Sequence, residues 1–188
     1  MTLRVAISGK QGSGKSTLSQ ELVENYGFER ISFATKLKEI AMDLFGLSWD
    51  QVYGDKKERV LLQELGAKMR EIDSEVWIKY VIRQVEQNRY TNYVIDDVRY
   101  KNEFEALKEA GFVMLRVECV EKVRKGRIGE NYKNDTHMSE TDLDFIEFPL
   151  PHNQEVYYSW DAFINNSSIP LKTFKQTAGK LVESYKSR

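Results

Sequence analysis

The stretch "GKQGSGKST", Gly9 to Thr17, lies between an apolar run, Leu3–Ile7, and an amphipathic one, Ser16–Asn25. Gly9, Gly14, Lys15 and Ser16 satisfy G-x-x-x-x-G-K-[ST], and the surrounding pattern of strand before and helix after is the context that motif requires. Glycines allow the backbone to curl so that successive N–H groups point inward, which makes an anion cradle at the start of a helix. Gly12 and Gly14 belong to this cradle. Lys15 adds a positive charge for the β- and γ-phosphates of a nucleoside triphosphate. Ser16 supplies the hydroxyl that such sites offer to Mg²⁺, and Ser13 and Thr17 are further donors to phosphate oxygens. ATP with Mg²⁺ is the expected ligand.

Working outward, the apolar runs Leu3–Ile7, Phe28–Phe33, Tyr93–Val98, Phe112–Glu118 and Asp161–Ile164 read as strands, separated mostly by helical patterns. That alternation predicts an α/β fold, a five-stranded parallel sheet covered by helices on both faces. "KLKEIAMDLFGL" puts Leu37, Ile40, Ala41, Leu44 and Phe45 on one helical face, with Gly46 as the stop. "SEVWIKYVIRQVEQN" repeats the logic, with Ser74 as N-cap. "NEFEALKEAG" is a short helix returning the chain to the next strand, and "SIPLKTFKQTAGKLVESYK" is a closing helix. From Val120 to Thr136 the apolar pattern disappears, and the segment reads as a basic, mobile surface excursion. Pro149 and Pro151 interrupt regular structure nearby.

With 188 residues the chain is expected to form one domain, 1–188. Its 28 basic and 29 acidic residues give a net charge of −1, so no global field argues for a nucleic-acid or membrane partner. The single cysteine, Cys119, excludes an intramolecular disulfide, and no N-terminal apolar run has signal-peptide or membrane-spanning length. The expected compartment is the cytoplasm.

A second phosphate-bearing partner needs cations of its own. "SFATKLK" puts Lys36 and Lys38 after the second strand, at the mouth of the sheet, where switch-point ligands sit. In "KKERVLLQELGAKMR", Arg59 and Gln63 share a helical face, with Arg70 beyond a glycine break. Solvated helix charges are the competing reading. "YVIDDVRYKNE" is an apolar strand ending in Asp96 and Asp97, the form that holds a metal-bound water beside a triphosphate. Alternation sends the two aspartates to opposite faces, so one faces the metal and structural ion pairing is the alternative for either. Arg99, just past the strand, is within reach of a transferring phosphoryl group.

Taken together, these segments resemble the deoxynucleoside monophosphate kinases of tailed bacteriophages, within the P-loop nucleoside monophosphate kinase superfamily. The resemblance is carried by "GKQGSGKST" at 9–17, "SFATKLKEIA" at 32–41, "RVLLQELGAKMR" at 59–70, "VWIKYV" at 76–81, "VIDDVRYKNEFEAL" at 94–107, "HMSET" at 137–141 and "DAFINN" at 161–166. It implies a three-layer α/β/α sandwich with a lid insertion, acting on a small-molecule deoxynucleoside monophosphate, in the host cytoplasm if phage-encoded, with a homodimer as the implied assembly. Asp97, matching the family's Asp-Val-Arg, becomes the metal-side carboxylate with Ser16. Phe33, Lys36, Lys38, Arg59, Gln63, Arg70 and Arg99 become the acceptor contacts, within an acceptor region of 33–90. The excursion corresponds to the lid, 120–140, with Arg124 and Arg127 closing over the phosphates, and Asn166 borders the adenine. His137 is open to phosphate contact or lid orientation, and Ser139 to capping. Thr35-Lys36 stands where the family usually has Asp-Pro.

A monophosphate acceptor already carries roughly −1.5 to −2 charge near neutral pH, so transfer to it needs alignment and charge neutralisation more than a strong base. Kinases of phosphomevalonate or dephospho-coenzyme A share the layout, the latter requiring a carboxylate base. A regulatory module that binds nucleotide without an acceptor is the alternative from another class.

Overall fold

The computed structural model describes residues 2–54, 56–129, 143 and 160–186. Its contacts divide the chain into two compact units, one formed by 1–30 with 89–188 and the other by 31–88.

Among the described residues, the first unit holds five strands: β1 (Arg4–Ser8), β2 (Phe28–Arg30), β3 (Asn92–Val98), β4 (Val113–Glu118) and β5 (Ala162–Asn165). They form one parallel sheet in the order β2-β3-β1-β4-β5. β1 is therefore central, flanked by β3 and β4, and the loop that follows it leaves from the middle of the sheet, where ligands of open α/β sheets bind. Helix α1 (Lys15–Tyr26) and the C-terminal helix α8 (Leu171–Lys186) pack together with the sheet face carrying Val5, Ile7, Val94, Leu115 and Val117. Leu18, Leu22, Phe174 and Ala178 fill the space between. On the other face Trp160 packs edge-on against Phe104 of α6 (Lys101–Glu109) at 4.7 Å between ring centres. Buried on both faces, the central strands β1, β3 and β4 read as near-continuous apolar runs, as parallel strands do.

Each expected strand is present within one or two residues at its start, with one shortened end. β2 stops at Arg30 because Ser32 takes up an extended conformation and accepts from the Ala34 N–H at 3.1 Å, capping a helix. β1 and β3 lose register near their C-terminal ends: Ala6 pairs with Ile95, but Ser8 pairs with Val98. Three steps along β3 match two along β1, a bulge at Asp96-Asp97 that suspends the strict alternation expected there.

The Val120–Thr136 excursion begins as a helix, α7 (Glu121–Ile128), an element its lack of apolar pattern does not announce. Its support is electrostatic rather than amphipathic: Glu121 pairs with Lys125 one turn on at 2.7 Å, and Lys125 and Arg127 occupy the last turn, where cations suit the helix dipole. Residues 130–140 of the lid, with His137 and Ser139, Pro149 and Pro151 lie outside the described residues.

The second unit is helical: α2 (Phe33–Phe45), α3 (Trp49–Val52), α4 (Arg59–Ile72) and α5 (Val76–Gln87). Gly46 ends α2 with φ 66°, as its sequence position predicts. Gly66 does not break α4; the helix runs through it, and the nearest atoms a Cβ there would meet are side-chain atoms of Leu37 and Arg70 at 3.4 and 3.5 Å. The N-cap of α5 falls at Glu75 rather than Ser74 and has no side-chain cap bond; just ahead of it Asp73 Oδ1 accepts from the Glu75 N–H at 3.0 Å. α3, with a capping box between Ser48 and Gln51, is an element the apolar pattern did not announce. Among the described residues no helix is long and apolar enough to cross a membrane.

Leu115 of β4 is wholly buried in the core shared by the sheet, α1 and α8. Leu115→Ala is expected to lower unfolding free energy by about 2–5 kcal/mol, the cost of lost burial plus a cavity, read as a drop in denaturant midpoint at constant slope.

Candidate functional site

The loop from Gly9 to Gly14 curls through three positive-φ glycines, with φ 147°, 78° and 112° at Gly9, Gly12 and Gly14. Two of these are fixed by close approach as well as by torsion. A Cβ on Gly9 would run into the Val117 carbonyl oxygen and the Ser13 hydroxyl, and one on Gly14 into Asn166 Nδ2 and, at 3.1 Å, the Phe174 ring. Gly14 is also the N-cap of α1 and provides no side-chain cap, so the first amides of α1 lack the usual partner. The Ser13 hydroxyl is buried with no hydrogen-bond partner. A cradle that excludes side chains, an orphaned hydroxyl and uncapped helix amides together fit a bound polyphosphate.

Lys15 Nζ folds back over the loop and donates to the carbonyls of Gly9 and, at 3.0 Å, Lys10. Asn166, 5% exposed at the end of β5, donates from Nδ2 to the Ser13 carbonyl at 2.8 Å. α7 grips the same loop from the side. Arg127 donates to the Gly12 carbonyl at 3.3 Å and to the Asn166 carbonyl at 2.8 Å, while Ile128 lies against Gly12. Arg124 is 4% exposed and donates to the carbonyls of Cys119 at 3.1 Å and Gln11 at 3.2 Å.

A cavity of about 490 Å³ opens beside the loop, bounded by Lys15, Thr17, Arg127, Asn166, Ile169 and Phe174 among others. Gly12, Gly14 and Ser16 line it too; Arg124 does not. The structure thus gathers Gly12, Gly14, Lys15, Ser16, Thr17, Arg127 and Asn166 around one space that apolar side chains also line, a composition that suits a nucleotide pocket. Ile128, Ile169, Leu171 and Phe174, the apolar residues of the lining, carry no motif because each sits in a segment whose apolar residues equally suit a core.

At the end of β3 the two aspartates differ. Asp96 is 3% exposed and shares the pleat face of Val94, which packs with α1. Its Oδ1 accepts from Arg30 Nε at 3.0 Å and Nη2 at 2.8 Å, and its Oδ2 is buried without a partner. The ion-pair alternative therefore holds for Asp96, and its partner Arg30, unclaimed by any motif, becomes legible only through the β2–β3 register. Asp97 is half-buried at the bulge. Arg99 follows the strand, and its backbone N–H donates to Glu103 Oε2 at 2.8 Å, which also accepts from the Tyr100 N–H at 3.1 Å. Among the described residues no group of three or more His, Cys, Asp or Glu has the arrangement of a protein-only metal cage. That suits Mg²⁺, which takes one or two protein ligands and completes its shell with phosphates and water.

In the helical unit, Phe33 is buried at the start of α2. Lys36 pairs with Glu39 at 2.9 Å, and that hydrogen bond and charge hold its ammonium pKa above the ordinary value. Lys38 lies 4.2 Å from the centre of the Tyr53 ring. Arg59 and Gln63 are exposed on α4, and Arg70 donates to the Gly66 carbonyl at 3.4 Å.

Comparison with known proteins gives a family and a fold. The family model described as "AAA domain" matches residues 5–144. A protein of Acanthamoeba polyphaga mimivirus described as "Putative deoxynucleotide monophosphate kinase" is 27% identical, the match covering 76% of this chain and 83% of that one. The "S-adenosylmethionine-dependent nucleotide dehydratase" of Lacinutrix mariniflava is 30% identical across 62% of this chain, but the match spans only 21% of that protein. Among solved structures, shikimate kinase from Acinetobacter baumannii superposes with a TM-score of 0.56 at 13% identity, covering 100% of this chain and 97% of its own. A gluconokinase from Sinorhizobium meliloti gives 0.52 at 17% identity, covering 97% and 95%. The architecture is that of the P-loop kinases.

Gly14→Ala places a methyl group between Asn166 and Phe174 at a backbone φ of 112°. Strain of about 1–3 kcal/mol focused on the cradle is expected to weaken ATP binding by roughly five- to hundredfold, measured by calorimetry, with the far-ultraviolet spectrum unchanged.

Proposed function

Since the chain belongs to the AAA domain family and has the P-loop kinase fold, we propose that it transfers the γ-phosphate of ATP to a deoxynucleoside 5′-monophosphate, releasing ADP and the deoxynucleoside diphosphate. One observation carries the reading: the cavity of about 490 Å³ beside the phosphate loop, lined by Lys15, Arg127 and Phe174 among others. The acceptor class is supported by the described activity of the mimiviral relative and by the cations of residues 31–88.

In this reading Lys15 leaves the Gly9 and Lys10 carbonyls and follows the β- and γ-phosphates, an exchange of neutral acceptors for anionic ones that strengthens each hydrogen bond. Arg127 and Arg99 offset the charge that spreads over the transferring group. Mg²⁺, held from the protein side by the Ser16 hydroxyl and Asp97, supplies further neutralisation of the phosphate oxygens when bound. Lys36, Lys38, Arg59, Gln63 and Arg70 hold the acceptor, with Phe33 supporting the start of α2. The acceptor's own phosphate oxygen is the nucleophile, so no residue has to remove a proton from it.

ADP formation is to be measured against ribo- and deoxyribonucleoside monophosphates, with phosphomevalonate and dephospho-coenzyme A in the same panel. Turnover with one or more deoxynucleoside monophosphates is expected, falling at least about a hundredfold in Lys15→Ala, the scale of losing one charge-stabilising donor. Turnover with a non-nucleotide acceptor alone would move the protein to that kinase class.

A further inference from the structure

We infer that Arg124 is a positioning residue that sets the orientation of the Gln11–Gly12 peptide, so that the Gly12 N–H is presented to the nucleotide's phosphates. The inference rests only on the nucleotide half of the proposed reading and not on the identity of the acceptor.

The loop contains a tight turn in which the Ser13 N–H donates to the Lys10 carbonyl at 3.1 Å, with Gly12 at the third position and φ 78°. That is the torsion a type II turn demands there. Type I and type II turns with this same closing bond differ by a flip of their central peptide, here Gln11–Gly12. The closing bond alone cannot choose between them. Arg124 does, because its Nη1 holds the Gln11 carbonyl at 3.2 Å while its Nε is fixed on the Cys119 carbonyl at 3.1 Å. In a trans peptide the carbonyl and the N–H point in opposite directions. Drawing the Gln11 carbonyl towards α7 therefore turns the Gly12 N–H away from it.

Three observations separate this role from that of an arginine closing over phosphates. Arg124 is 4% exposed and does not line the cavity, whereas Arg127, one turn on, does. Its two carbonyl acceptors come from different elements, the end of β4 and the loop after β1, so it ties the loop to the sheet. The neighbouring Gly12 carbonyl is held by Arg127 at 3.3 Å, and Ile128 packs on Gly12, so the same helix fixes both faces of the turn.

The test follows the Gly12 amide by ¹H–¹⁵N spectroscopy while inorganic tripolyphosphate, and separately ATP, is titrated into the full chain. In the wild type the Gly12 amide is expected to move downfield and gain exchange protection along with those of Lys15 to Thr17. A Gly12 amide that stays still while those of α1 respond overturns the inference without any variant. In Arg124→Met the Gly12 response is expected to disappear and affinity for both ligands to fall together by about ten- to hundredfold, the range for one hydrogen bond to a charged partner. Arg124→Lys, which keeps a donor, is expected to restore part of both. Weakened binding with an unchanged Gly12 response would make Arg124 a direct phosphate contact, and unchanged affinity would remove its role; either overturns the inference. Failure of the deoxynucleotide reading shows instead in the turnover panel, with these titrations unaffected.

Discussion

A loop that offers its backbone amides to an anion cannot use them to hold itself together. The usual economy of a protein interior pairs every buried N–H with a carbonyl. Between Gly9 and Thr17 the Ser13 N–H closes a turn on the Lys10 carbonyl and the first amides of α1 carry no side-chain cap, so much of the order of the loop comes through its carbonyls. Five of them are held by side chains: Gly9 and Lys10 by Lys15, Gln11 by Arg124, Gly12 by Arg127 and Ser13 by Asn166. Three of these five carbonyls are held from α7 or β5, far away in sequence. The cradle is thus a product of the tertiary fold.

The sheet supplies the fixed points. Central placement of β1 between β3 and β4 brings the ends of three strands to the loop, and parallel pairing sends all of them out on the same side. Charges enter this otherwise apolar layer only with partners. Arg116, 4% exposed on β4, bonds Glu118 at 2.6 Å and the Ser8 hydroxyl at 3.4 Å, and lies 5.8 Å from the Trp160 ring. Removing one member of such a set costs more than the set contributes, because the remaining charge is left desolvated. Asp96 is the exception with one oxygen unpartnered, and it sits at the bulge beside the site, where incomplete satisfaction of a buried group is most often found to have a use.

Much of this was legible in the sequence, for a physical reason that also explains what was not. Strands buried on both faces must be apolar almost throughout, so Leu3–Ile7, Tyr93–Val98 and Phe112–Glu118 announced themselves, and the glycine spacing of the loop announced the cradle. α7 was missed because it has no apolar stripe to read: its one buried residue is Arg124, and its stability comes from charge pairing and from contacts with the loop. Gly66 reads as a break in one dimension, whereas in the fold it sits buried inside α4 with Leu37 close by. Arg30 carries no motif, since its meaning depends on the strand beside it.

The two arginines of α7 show where sequence pattern stops carrying chemical information. Arg124 and Arg127 are the same residue type, one turn apart in one basic segment, and any motif assigns them together. Three residues on a helix is a rotation of about 300°, so the two side chains leave the axis about 60° apart. That offset is enough to bury one guanidinium between the Cys119 and Gln11 carbonyls and leave the other on the wall of the cavity. The buried Arg124 guanidinium would lose two carbonyl partners on swinging out to meet a phosphate. One at the cavity wall exchanges a carbonyl for an anion and gains by it. The difference between the roles proposed for them rests on burial, which is why it had to be read from the fold.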